Sequence, residues 1–126
     1  DGRPHLVPMW FVHDGPVIEV WSYARAQKTR NLRRDPRATL LLEAGTGYSE
    51  LRGVSLECDV ELLESPEDVE RIGTGLAVRY GTASPLDLSD EQARAALRAK
   101  AAKRVGIRFT PTRTISWDHR KLGGAY

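Results

Sequence analysis

The sequence predicts a mainly-β domain with inserted helices, built as a small antiparallel barrel of six strands. Three observations predict it. Short apolar segments follow one another across glycine-bearing turns at His13-Asp14-Gly15-Pro16 and Ala44-Gly45-Thr46-Gly47. A longer segment alternates Leu56, Cys58, Val60 and Leu62 with Glu57, Asp59 and Glu61, the period of a half-buried strand. Both strong helix starts come late, after most of the strand-like segments have passed.

Taken in order, Asp1-Gly2 is a hairpin-turn pair. A turn needs a strand before it, so a single domain over 1–126 is expected to lack an N-terminal strand. His5 to Val12 is apolar on both faces, and Pro8 inside it marks an edge, a bulge or a place where something other than a strand lies alongside. Val17 to Ser22 returns as a second strand. A short polar helix follows and is halted by Asp35-Pro36. Ala38 to Glu43 is a short buried strand. Tyr48 to Leu63 is too long for one flat strand, and Gly53 predicts a bulge or barrel corner within it.

Ser65-Pro66-Glu67-Asp68 opens a helix with a cap hydroxyl, a first-position proline and first-turn acids. Val69, Ile72, Leu76 and Tyr80 give it one apolar stripe, and Gly81 ends it. Ser89-Asp90-Glu91-Gln92 reads as a second capping box, opening a helix that runs to about Ala102. Val105, Ile107 and Phe109 alternate as a strand that Pro111-Thr112 breaks, and Thr114 to Trp117 makes a last short one. The stretch Asp118 to Tyr126 is polar and needs no order unless it docks on something.

At 126 residues there is room for one core. No apolar run is long enough to span a bilayer, and no charged-then-apolar leader argues for export. The single cysteine, Cys58, excludes an internal disulfide framework, fits a reducing cytoplasm and reads as a small buried hydrophobe. A net charge of +2 does not by itself predict nucleic acid, and a single-strand-binding barrel would rest on the local basic cluster alone.

That cluster is the most informative stretch. Between Val20 and Arg37, Arg25, Lys28, Arg30, Arg33, Arg34 and Arg37 stand against one acid, Asp35. A strand feeding the start of a basic helix suits an anion, because the first backbone N–H groups lack intrahelical partners and the helix dipole favours negative charge there. The alternative is a solvated basic turn. Elsewhere the usual constellations are missing. His5, His13 and His119 have no ligand spacing, so no metal is expected. Gly45-Thr46-Gly47 lacks the later glycine or lysine of a phosphate loop. No catalytic acid stands out. Trp117-Asp118-His119 reads, from composition alone, as a barrel-closing tryptophan and a solvated tail.

The order HLVPMWF, turn, VWSYARAQKTRNLRRDPRATLLLE, bent strand, two helices and RFTPTRTISWDHRKL resembles the pyridoxamine-phosphate-oxidase-like split β-barrels. Within them it is most similar to the flavin/deazaflavin oxidoreductases common in actinobacteria. The motifs that carry the likeness are Lys28-Thr29-Arg30-Asn31-Leu32 with Asp35-Pro36, Pro8-Met9-Trp10, and Trp117. The resemblance implies a dimeric split β-barrel of six to seven antiparallel strands, like the FMN-binding proteins, with cofactor sites at a two-fold interface. It implies that Val7, Pro8, Met9 and Trp10 line an isoalloxazine-type ring, with backbone groups on its pyrimidine edge. Trp21 and Ser22 would flank the phosphate strand, Lys28 and Thr29 would hold the phosphate, and Asn31 would stand behind them. Trp117 and Lys121 match the tryptophan and basic residue that the partner subunit gives.

Gln27 stands where the flavin-mononucleotide oxidases carry an arginine. A phosphomonoester bears roughly 1.5 to 2 negative charges near neutrality, and losing a guanidinium removes a charge-assisted, bidentate contact. The deazaflavin coenzyme F-420 has a singly charged phosphodiester instead, which tolerates that loss better, and Arg25, Arg30, Arg33 and Arg34 remain to meet its oligoglutamate tail. The resemblance therefore implies a cytoplasmic oxidoreductase that uses reduced coenzyme F-420 to pass hydride to a small conjugated organic substrate. The alternatives are the same fold using FMN, and a non-catalytic protein binding a flavin, deazaflavin or tetrapyrrole. The substrate-phosphate arginines of pyridoxamine-phosphate oxidases are not evident in the tail, where His119-Arg120-Lys121 stands.

Overall fold

In the computed structural model, which describes residues 1–84 and 87–124, five antiparallel strands carry three α-helices. The order is β1 (Val12–Asp14), β2 (Val17–Tyr23), α1 (Gln27–Arg34), β3 (Arg37–Ala44), β4 (Arg52–Leu63), α2 (Pro66–Arg79), α3 (Glu91–Ala101) and β5 (Arg104–Asp118). The strands form one sheet ordered β1-β2-β5-β4-β3.

One merger brings the expected six strands to five, and the first strand is shorter and later than expected. The apolar run from His5 contributes only Val12 to a ladder, and the residues before it have no regular structure. The segments on either side of Pro111-Thr112 are one strand. Cys58 pairs with Pro111 while Glu57 pairs with Arg113, so Thr112 is an extra residue on β5. Its hydroxyl donates to the Glu57 carbonyl at 3.1 Å, and the bulge absorbs the proline without ending the strand. Of the two expectations for Gly53, a bulge or a barrel corner, the bulge lies elsewhere, between Glu57 and Cys58. Gly53 lies in regular pairing with Trp117, and an added Cβ would meet the Trp117 ring at 2.8 Å (Cη2) and the Leu42 carbonyl oxygen at 2.7 Å.

The two faces of the sheet have separate cores. On one, Ile18 and Val20 of β2, Leu56 and Cys58 of β4, and Ile107 and Phe109 of β5 are buried, with Leu32 of α1 and Leu40 and Leu42 of β3 packed around them. Residues of β2 and β3 share this cluster although three strand boundaries separate them, so the sheet curls upon itself. It does not close. Among the described residues no ladder joins β1 to β3, and a groove of about 300 Å³ lies between Pro16 and Ile18 on one side and Leu42 and Val54 on the other.

On the opposite face α2 lays Ile72 and Leu76 against Leu63, Val12, Trp21 and Tyr80. The Trp21 ring fits the notch at Gly73, where an added Cβ would lie 2.7 Å from Cη2. As predicted, Ser65 caps α2, its Oγ accepting from the Asp68 N–H at 3.2 Å, and Gly81 ends it at φ 69°. The cap of α3 is Asp90, which accepts from Gln92 N–H, one residue beyond the expected Ser89; Ser89 belongs to a preceding 3-10 turn. No helix among the described residues is long and apolar enough to cross a membrane.

Candidate functional site

Strand β2 runs into α1 through a tight turn in which Ala26 N–H donates to the Tyr23 carbonyl at 3.0 Å. Ala26 is the N-cap and offers no side-chain oxygen, and the first turn of α1 contains no acid, so nothing answers the positive end of the helix. The six basic residues of the region divide into two sets. Arg33 is tied to Glu64 at 2.7 Å and to the Ala24 carbonyl, Arg37 forks onto Asp35 at 2.8 and 2.7 Å, and Arg34 donates to Asn31 Oδ1. Arg25, Lys28 and Arg30 have no partner among the described residues. Three cations thus stand unpaired around an uncapped helix start.

The neighbours of Lys28 are placed differently from one another. Gln27 Nε2 donates to Asn31 Oδ1 at 2.8 Å, so Asn31 gathers Gln27 and Arg34 behind the turn. Thr29, expected to hold a phosphate with its hydroxyl, is 0% exposed and turns Oγ1 inward to the Tyr23 carbonyl at 3.0 Å. It pins the first turn of α1 to the end of β2 and presents nothing to a ligand outside. The residue types at this corner are those expected, with Lys28 half-buried and Thr29 turned fully inward.

The aromatic strip begins where β1 ends. Val7, Met9 and Trp10 are exposed, Trp10 at 56%. Val12 pairs with Glu19, and from Val20 to Tyr23 no strand among the described residues pairs with β2 on its β1 side. This free backbone edge leads directly to the start of α1. One face of the Trp10 ring lies flat against Tyr80, with centroids 4.5 Å apart and planes 4° from parallel. The other face is the open one.

Ser22 and Trp21 point to opposite faces of β2, as the strand period requires. Ser22 is buried at the α1 end of the strand, and its Oγ is a buried polar atom with no hydrogen-bond partner among the described residues. Trp21 is engaged elsewhere. It packs on α2 at Gly73, and the Arg104 guanidinium lies over it at 4.7 Å and over Tyr23 at 4.2 Å. Trp21 braces the helix instead of flanking the corner.

Trp117 and Lys121 lie at and beyond the end of β5 opposite to its α1 end. The α1 end of β5 is Arg104, paired with Tyr23, whereas Trp117 pairs with Gly53 near the other end of the strand. The tail beyond is docked. His119 N–H donates to the Leu51 carbonyl, and its Nδ1–H donates to the Tyr48 carbonyl, both at 2.8 Å. Asp118 takes the Arg120 guanidinium fork at 2.8 and 2.7 Å, which holds its carboxyl down to about 2. Tyr48, against the His119 ring, and Arg52, donating to the Glu50 carbonyl, belong to this corner. The last two residues of the tail lie outside the described residues.

Residues 1–118 match the family model described as pyridoxamine 5'-phosphate oxidase. The chain belongs to the pyridoxamine 5'-phosphate oxidase family. Among solved structures, the conserved hypothetical protein Rv2991 from Mycobacterium tuberculosis is similar to this family member at 44% identity and a TM-score of 0.83, over 97% of this chain and 73% of that one. A protein named F420 reductase shares the fold at 24% identity and TM-score 0.65, covering 90% of this chain and 80% of that chain. An FAD-binding protein from Mesorhizobium loti shares it at 18% identity and TM-score 0.63, covering 92% and 77%.

Two residues that sequence reasoning did not single out hold this family member's frame together. Glu19 sits in an apolar strand yet is buried, gripped by Arg71 and Arg108. Tyr80, read only as the end of an apolar stripe, uses its hydroxyl on the backbone of the aromatic strip. A lone acid amid VIEVWSY was the available signal for the first. The second had none, because its partners lie 69 positions away.

Proposed function

We propose that this member of the family is a homodimeric, cytoplasmic oxidoreductase that binds the reduced deazaflavin coenzyme F-420. The observation that carries the reading is the start of α1: Arg25, Lys28 and Arg30 unpaired around an uncapped first turn, beside the free edge of β2. The orphaned Ser22 hydroxyl at the same end of β2 fits a site that awaits a polar partner. Lys28 supplies a point charge to the anionic group, and the backbone of the first turn supplies oriented N–H dipoles. Thr29 keeps that turn fixed to β2, and Asn31 restrains Gln27 beside it. Val7, Pro8, Met9 and the open face of Trp10 offer an apolar wall for a tricyclic ring, and the unpaired edge of β2 offers donors and acceptors to its heterocyclic rim.

When bound, the coenzyme would supply hydride to a small planar conjugated molecule; the protein contributes orientation, exclusion of water and electrostatics. Trp117 and Lys121, at the end of β5 opposite to the Arg104–Tyr23 pair, act on the neighbouring copy's site in this reading. The fold is shared by proteins named F420 reductase and FAD-binding protein, so fold alone does not choose the cofactor. Charge favours the diester of the deazaflavin, because Gln27 adds none and is already bonded to Asn31. The second reading is FMN, whose monoester the three unpaired cations could also meet.

The test is a side-by-side titration with FMN and with the deazaflavin, followed by mixing the reduced coenzyme complex with quinones and enones. Micromolar deazaflavin binding, weaker FMN binding and oxidation of the coenzyme by an acceptor are expected. Tighter FMN binding would make the second reading the correct one, binding without turnover would leave a carrier, and binding of neither would overturn both.

A further inference from the structure

We infer that Tyr80 is a positioning residue for the aromatic strip, setting which face of Trp10 a ring-bearing ligand meets. The ligand in this inference rests on the cofactor reading above, whereas the strap itself is independent of it.

An extended segment that follows a strand edge ordinarily continues the ladder, because unpaired backbone groups are costly once desolvated. Counting back from the Val12–Glu19 pair, Phe11 would lie level with Val20 and Trp10 with Trp21. The ladder stops instead at Val12. Phe11 N–H donates to the Tyr80 hydroxyl at 3.1 Å, and the same hydroxyl donates to the Phe11 carbonyl at 3.2 Å. One side chain takes the place of a strand, satisfying both polar groups of Phe11 and leaving the β2 edge beyond Glu19 free.

Three further contacts belong to the same strap. The Trp10 ring stacks on Tyr80, and the Arg79 guanidinium lies 4.4 Å above the Phe11 ring and 5.7 Å above Tyr80. The anchor itself cannot slide. Tyr80 is the C-cap of α2, its N–H bonded to the Leu76 carbonyl, with Leu76 and Ile72 buried below and Gly81 ending the helix. The end of α2 therefore holds the strip off β2 while presenting the outer face of Trp10.

The experiment uses the full chain with Tyr80→Phe, which keeps a ring for Trp10 but removes both hydrogen bonds, and Tyr80→Ala, which removes the stack as well. Backbone hydrogen exchange at Phe11 should accelerate at least about tenfold in Tyr80→Phe, the scale of losing hydrogen bonds worth about 1.5 kcal/mol, with the exchange of β4 and β5 unchanged. Binding of FMN and of the deazaflavin should weaken about fivefold in Tyr80→Phe and further in Tyr80→Ala, while competition by inorganic phosphate, which needs only the start of α1, stays as in the wild type. That ring-selective loss is what general destabilisation would not produce. Unchanged Phe11 exchange would overturn the strap. Accelerated exchange with undiminished ring binding would overturn the positioning role. If the wild type binds neither cofactor, the cofactor reading fails and the positioning role with it, and exchange at Phe11 still decides whether the strap exists.

Discussion

The Glu19 carboxylate is sealed beneath α2 and held by both arms of Arg71, Nη1 at 2.8 Å and Nη2 at 3.0 Å. Arg108 adds a third bond at 3.2 Å, so one buried acid from β2 joins α2 to β5. Arg71 and Arg108 are partly exposed and have second partners in Asp68 and Glu61, so their desolvation is modest while the acid's needs are met.

This arrangement predicts an acid limb to stability. The hydrogen bond from Arg71 leads in holding the Glu19 carboxyl below its ordinary value of 4.5. A group whose folded value is depressed stabilises the fold above its unfolded value, and that contribution is lost as pH falls through the folded one. Glu19→Gln should cost roughly 1.5–3 kcal/mol at pH 7, the scale of hydrogen bonds to a charged group. The difference from wild type should shrink below about pH 4.5, as denaturant titrations across pH would measure.

At Gly73 two effects have opposite signs. Helix propensity alone would make Gly73→Ala stabilising by about 1 kcal/mol. The new methyl would press into the Trp21 ring, which the Arg104 guanidinium also contacts, and overpacking costs typically about 1–3 kcal/mol. The clash wins, so thermal denaturation should show a lowered midpoint.

Thr29→Val tests the pinning of α1. Volume is kept, the bond to the Tyr23 carbonyl is lost, and about 1 kcal/mol of stability should go with it. Because the hydroxyl does not face outward, cofactor affinity should fall by less than in Lys28→Ala. A loss as large as that of the lysine variant in a titration would return Thr29 to direct contact.

The proposed role of Trp117 and Lys121 at the neighbouring copy's site predicts complementation between copies. Lys28→Ala and Lys121→Ala chains, each weak alone, should on co-expression form mixed dimers in which one site carries both lysines. Titration of the isolated mixed dimer should recover up to one tight site per dimer. Recovery of none would place both lysines in the same chain's site or remove one of them.

How much of this was legible in the sequence depended on the range of each interaction. The cap at Ser65, the stop at Asp35-Pro36 and the left-handed Gly81 are local chemistry and lay open to reading. The uncapped basic start of α1 was equally visible, since it depends on which residues are absent nearby. Thr29 was half legible: its place in the turn follows from sequence, but the inward rotation needs the Tyr23 carbonyl. Pro111 suggested a strand end because a proline cannot donate, and only the partner strand reveals that Thr112 bulges out. Gly53 required the Trp117 ring, and the shortening of the first strand to Val12–Asp14 required Tyr80. Those contacts are long-range, and no window along the chain contains both sides.

The central claim is that an anionic redox cofactor docks at the uncapped start of α1, and the most direct measurement compares deazaflavin binding by wild type and Lys28→Ala in a fluorescence titration. Lys28 has no partner to lose, so the variant should fold as stably as the wild type. Its affinity should fall by about 1.5–3 kcal/mol, the scale of a hydrogen bond to a charged group. Equal affinity in the two proteins would contradict the claim.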